Sequence, residues 1–109
     1  MNWNRIENEQ QIESIKENSQ HKLQLIFKHS TRCIISKMAL KSFEEGFSLK
    51  DHIELHFLDL IANRSLSNKI ADDFEITHQS PQILLIKNGV VVYNESHEGI
   101  NVEVLKGFV

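Results

Sequence analysis

The chain of 109 residues holds a single cysteine, in the stretch His29-Ser30-Thr31-Arg32-Cys33-Ile34-Ile35-Ser36. A strand-like run ends just before it and a helix-like run begins within it, which predicts a thiol at a helix N-terminus. Unpaired backbone N–H groups and the positive end of the helix dipole favour thiolate over thiol there, and Arg32 adds a cation beside it. A thiolate is the nucleophile of disulfide exchange. Ser36 lies one turn further on and is expected to turn its hydroxyl toward the sulfur, favouring the charged form. The pattern is C-x-x-S, with no second cysteine to resolve a mixed disulfide inside the chain. Plainer readings stand beside these. A cysteine can be a small buried hydrophobe, and a helical serine can bond back to its own backbone. One thiol excludes an intrachain disulfide and a cysteine-based zinc site, leaving catalysis, redox sensing or packing.

The elements that must position this thiol are legible as patterns. Leu23, Leu25, Ile26 and Phe27 form a compact apolar run that predicts a buried strand ending at Lys28. Beyond Cys33, the residues Ile35, Met38, Ala39, Phe43 and Phe47 recur at three and four, predicting the inner face of a helix that closes near Gly46. Ile53, Leu55 and Phe57 alternate with His52, Glu54 and His56, a second strand that runs into Leu58 and Leu60. Leu66, Ile70 and Phe74 predict the inner face of another helix, capped at Asn63 or Ser65.

Lys87-Asn88-Gly89 between two β-rich runs predicts a hairpin. The only proline, Pro81, stands at the entrance to its first strand, where no needed ladder bond is lost and where a cis bond would be a deliberate feature. Before all this, a short extended start precedes a helix over Glu9 to Asn18. After it, Asn101 caps a terminal helix with Glu103 in its first turn and Val104, Leu105 and Phe108 facing inward. The order implies an α/β fold with one parallel strand-helix-strand unit and a closing antiparallel hairpin.

A net charge of -3 with 40% apolar and 25% charged residues fits one soluble domain spanning residues 1–109. It argues against nucleic acid or an anionic membrane as partner. No apolar run approaches the roughly 18 residues of a membrane span, and no signal peptide is read at the start, so a cytoplasmic protein is expected. His52 and His56 share one side of a strand, but no third ligand has recognisable spacing, and no metal is expected.

The sequence Phe27-Lys28-His29-Ser30-Thr31-Arg32-Cys33, with Ile35-Ser36, Met38-Ala39-Leu40, Phe43, Ser80-Pro81-Gln82 and Ser96-His97, resembles the monothiol bacilliredoxin family of the bacillithiol system. The resemblance implies a thioredoxin-like fold with a central mixed four-stranded sheet, room for a short extra N-terminal strand, and helices around it. It implies that Cys33 attacks a protein–bacillithiol mixed disulfide, takes up the bacillithiol and frees the client thiol. Ser36 would stand where dithiol relatives keep a resolving cysteine. Pro81 would be a cis-proline that exposes neighbouring backbone to a substrate, with Ser80 beside it.

Thr31, Arg32 and Ile34 complete the implied substrate surface. Arg32 could attract the carboxylate-rich part of bacillithiol, or simply be solvated. The family usually has proline after the cysteine, a favourable first helical residue. Ile34 here leaves a backbone N–H free and adds branched apolar surface beside the sulfur. His29 could tune local charge, or be a surface or capping residue, and His97 matters only through the resemblance. No tightly bound cofactor is implied. Bacillithiol would be a co-substrate, bacillithiolated proteins the clients, and the chain would act as a monomer.

Two other functions compete. A non-catalytic thioredoxin-like module could bind an extended peptide beside Pro81, or sense redox state through Cys33. A glutaredoxin-like arsenate reductase is similar around Arg32-Cys33, Ser36, Lys37 and Leu40. Oxyanion chemistry wants several converging arginines, and the chain has only Arg5, Arg32 and Arg64.

Overall fold

The computed structural model describes residues 1–109. Its strands are β1 (Asn4–Arg5), β2 (Leu23–His29), β3 (Ile53–Asp59), β4 (Gln82–Lys87) and β5 (Val90–Ser96). Its α-helices are α1 (Glu9–Asn18), α2 (Ile34–Gly46) and α3 (Arg64–Asp73), and two 3-10 segments, His97–Gly99 and Val102–Phe108, follow β5. The sheet order is β1-β3-β2-β4-β5. The expected short N-terminal strand is present and pairs in parallel with β3 at His56 and Phe57, making five strands rather than four.

β2 sits at the centre because both of its faces are apolar and all seven of its residues are buried. It pairs in parallel with β3 from Leu23↔Ile53 to His29↔Asp59, and antiparallel with β4 from Gln24↔Ile86 to Lys28↔Gln82. On one face Ile26, Leu58, Leu84 and Ile86 meet Ile12 and Ile15 of α1 and Leu66 and Ile70 of α3. On the other Leu25, Phe27, Leu55, Ile83 and Leu85 meet Phe43 of α2 and Leu105. Phe43 is the anchor of that second core, with ring centroids 5.6 Å from Phe27 and 5.7 Å from Trp3. Its truncation to alanine is expected to cost about 3–5 kcal/mol.

The helix over Glu9–Asn18 is as the pattern predicts, held at its start by an Asn8–Gln11 capping box. The hairpin turns through Asn88 and Gly89, both at positive φ (53° and 80°), the conformation that favours an Asn-Gly pair in a two-residue turn. Three expectations need correction. β2 continues one residue past Lys28, to His29. The inward side of α2 is Ser36, Ala39, Leu40, Phe43 and Phe47, while Ile35 and Met38 of the expected face are exposed, Met38 at 65%. The terminal segment is a 3-10 helix, whose three-residue period turns Val102, Leu105 and Phe108 inward and leaves Val104 exposed. No helix is long and apolar enough to cross a membrane.

Candidate active site

The pairing of β2 gathers loops from distant parts of the chain at one rim. β3 runs parallel to it and β4 antiparallel, so the end of β2, the end of β3, the start of β4 and the end of β5 share one edge of the sheet. Cys33 leaves β2 through a tight loop in which its N–H donates to the Ser30 carbonyl at 3.2 Å. It is the N-cap residue of α2 with extended backbone (φ -108°, ψ 121°), and no side chain caps the helix. The thiol is half-buried and free. Helix N–H groups therefore open toward the side where the sulfur sits.

Ser36 does not serve the sulfur in the way its spacing predicts. Its side chain is fully buried, and its Oγ accepts from the Ser30 N–H at 3.0 Å and lies 2.8 Å from His29 Nδ1. Those partners turn the serine inward under the loop, and they account for the rotation of α2 that leaves Met38 outside. His29 is neither a surface nor a capping residue. It is buried, with its ring 5.4 Å from Phe57 and 6.4 Å from Phe27. Burial pushes its pKa below the usual histidine value, with the Asp59 carboxylate pulling the other way. Alternation along β2 could have flagged it, since His29 falls two residues after Phe27 on the α2 face.

The remaining residues of the predicted site fall into two groups. Thr31, Arg32 and Ile34 are exposed around Cys33, and Arg32 has no carboxylate partner. Ile34 is 68% exposed and, with Ile35 and Met38, forms an apolar collar. Ser80 and Pro81 lie at the head of β4, immediately before Gln82, the residue that pairs with Lys28. The Ser80–Pro81 peptide is cis. Pro81 is buried and its carbonyl accepts from the His97 N–H at 3.0 Å. This contact gives His97 a place the sequence did not supply, at the rim and at positive φ (54°). A cleft of about 280 Å³ lies between it and the Ile35–Met38 side of α2. The Ser80 Oγ is buried without a hydrogen-bond partner. His56, which the sequence paired with His52, instead bonds Gln24 Oε1 through Nε2 at 2.7 Å.

A lone thiol at an uncapped helix start, ringed by exposed polar and apolar groups and braced from beneath, can attack an incoming sulfur and hold the product as a mixed disulfide.

The model of the monothiol bacilliredoxin BrxC family matches residues 4–105. Among solved structures, a thioredoxin-fold protein classed by inference as an oxidoreductase is 31% identical, with a TM-score of 0.82 over 95% of this chain and 90% of its own. Thioredoxin from Malassezia sympodialis is 16% identical, with a TM-score of 0.75 over 98% of this chain and 87% of that one. Thioredoxin from Fasciola hepatica is also 16% identical, with a TM-score of 0.70 over 96% and 94%. The last two speak for the fold alone.

Proposed function

This chain belongs to the monothiol bacilliredoxin family, and on that footing we propose that it removes bacillithiol, or a similar small thiol, from mixed disulfides with proteins through Cys33. The coarser class, a thioredoxin-like thiol oxidoreductase, follows from family and fold together. In the first step the Cys33 thiolate attacks the bacillithiol sulfur. The Cys33–bacillithiol bond forms as the client–bacillithiol bond breaks, and the client leaves as a thiolate that takes a proton from water. In the second, a free thiolate attacks the bacillithiol sulfur held on Cys33, releasing Cys33 and a small-molecule disulfide. Each step trades one S–S bond for another, so no external oxidant is needed.

The observation that carries this reading is the isolation of the sulfur. Cys33 is the only thiol, sits at an uncapped helix start, and Ser36 beneath it is turned away to hold the loop. Nothing inside the chain competes with an external thiol. Ser36 then acts through the loop rather than on the sulfur. Exposed Arg32, with Thr31, meets the carboxylates of the small thiol, and Ile34 with the Ser80–Pro81 edge meets the client. The chain works as a cytoplasmic monomer with no bound cofactor.

The test is intact mass after exposure to bacillithiol disulfide and, separately, glutathione disulfide, followed by incubation of reduced protein with a bacillithiolated client. The expected result is one bacillithiol adduct on Cys33, gained as the client loses its own and absent in Cys33→Ala. A Cys33 that stays free with both disulfides, beside a client that keeps its adduct, overturns the reading. The exposed collar of Ile34, Ile35 and Met38 also suits a peptide-binding module. That alternative predicts that Cys33→Ala leaves partner binding intact.

A further inference from the structure

Lys28 is fully buried at the site end of β2, yet no salt bridge reaches it. Its Nζ donates to the Ser67 carbonyl of α3 at 3.1 Å and to His78 Nδ1 at 3.2 Å. Ser67 Oγ also reaches His78 Nδ1, at 3.2 Å. Directly across the ladder from Lys28 stands Gln82, which is buried as well. Its Nε2 donates to the Thr77 carbonyl at 3.1 Å, and its Oε1 accepts from the Gln79 N–H at 3.3 Å. Thr77 to Gln79 is the segment that leads into Ser80 and Pro81. It belongs to no strand or helix, so strand side chains supply what a backbone ladder would otherwise give it.

We propose that Lys28, with Gln82, latches the 77–79 segment through His78, and that Lys28 and His78 are thereby positioning residues for thiol exchange at Cys33. The consequence for turnover rests on the function proposed above; the latch itself does not. The Ser80–Pro81 edge lies at the same rim of the sheet as the Cys33 loop, and in the function proposed above it meets the client. Misplacing a substrate-facing edge by about 1 Å can cost on the order of a hundredfold in rate. Burial brings Lys28 down to about 8. Burial, then Lys28, then Arg64 lower His78, which keeps its ring neutral with Nδ1 free to accept. A buried ammonium without a carboxylate is an expensive residue to keep for packing alone.

The experiment compares Lys28→Met, His78→Leu and His78→Asn, the last placing an acceptor oxygen where Nδ1 stands. Hydrogen exchange of the Gln79 amide reads the latch directly. Turnover of a bacillithiolated client and alkylation of Cys33 by iodoacetamide are measured alongside. In Lys28→Met and His78→Leu the Gln79 amide is expected to exchange faster and client kcat/KM to fall about tenfold or more, while alkylation holds within about twofold. His78→Asn is expected to stay near wild type in all three.

Unchanged Gln79 exchange overturns the latch. Faster exchange with unchanged client turnover overturns the positioning role. Alkylation that falls in step with turnover also overturns it, because the cluster then acts on the thiol or the whole fold. His78→Asn behaving like His78→Leu removes the Nδ1 acceptor as the link. A wild-type protein inert toward the client, with Gln79 still opening in Lys28→Met, overturns the proposed function and leaves the latch standing.

Discussion

Lys28 and His29 are neighbours on the central strand, and alternation sends them to opposite faces of the sheet. Both are buried at the site end, and both end in hydrogen bonds that hold a loop rather than a core. They differ in reach and in charge. His29 works locally through Ser36, seven residues on, which in turn holds the Ser30 N–H of the cysteine loop. Lys28 reaches Ser67 and His78, 39 and 50 residues away. Near His29 the Asp59 carboxylate offsets burial, whereas around Lys28 the polar partners are neutral and the nearby Arg64 pushes His78 the same way burial does. One dipeptide thus steadies two loops by different means. The cysteine loop carries its brace within its own stretch of chain, while the proline segment depends on the assembled fold.

The largest expected effect lies at the sulfur both braces surround. Cys33→Ala should abolish transfer of the small thiol, with an unchanged thermal unfolding midpoint; residual transfer would detach both braces from the chemistry. Next comes the local brace. Ser36→Ala strands the Ser30 N–H and deprives His29 Nδ1 of its partner, which should cost about 1–3 kcal/mol in urea unfolding. A cost near zero would mean that the cysteine loop stands without it.

Lys28→Met should move stability the other way, with an unfolding midpoint at pH 7 at or above wild type, since it removes a buried charge held only by neutral partners. Burial brings the folded-state pKa of Lys28 down to about 8, from an ordinary lysine value of about 10.5. Between those values the unfolded chain holds a proton the folded one has released, so wild-type stability rises with pH there. The gap between variant and wild type should therefore narrow as pH climbs through that window. A variant plainly less stable at pH 7 would recast the latch as a packing feature.

The smallest effect is the acid limb. Burial lowers His29, His56 and His78, opposed by Asp59 at His29 and by Glu54 at His56, and reinforced by Lys28 and Arg64 at His78. The unfolded chain then takes up protons first, and stability should fall as pH drops below about 6.5. Calorimetry from pH 7.5 to 5 checks this, and His78→Asn should shallow the slope.

The frame of the fold was open to reading because its signals are local. Four-residue spacing placed Leu66, Ile70 and Phe74 inside, and Asn88-Gly89 announced its own turn. The cysteine at the start of α2 was legible for the same reason, as the place where period two gives way to period 3.6. What failed to show was set by partners far along the chain. Lys28 looked like the polar exit of a strand because nothing near it in sequence reveals Ser67 or His78. Ser36 looked like a helper for the sulfur because spacing gives which residues share a helix face, but not which side the core will claim. A 3.6 period turns Val104 inward, where the chain adopts three residues per turn and leaves it exposed.

The single sulfhydryl has a practical consequence. A dithiol relative that oxidises internally changes mass by only two hydrogens, and a label on one sulfur must be told apart from a label on the other. Here any thiol tag marks one known atom, and the whole-protein mass spectrum is itself an occupancy gauge for that atom. The fraction of molecules carrying an adduct can be read from an undigested sample, so a time course of loading and unloading needs neither peptide mapping nor a reporter dye.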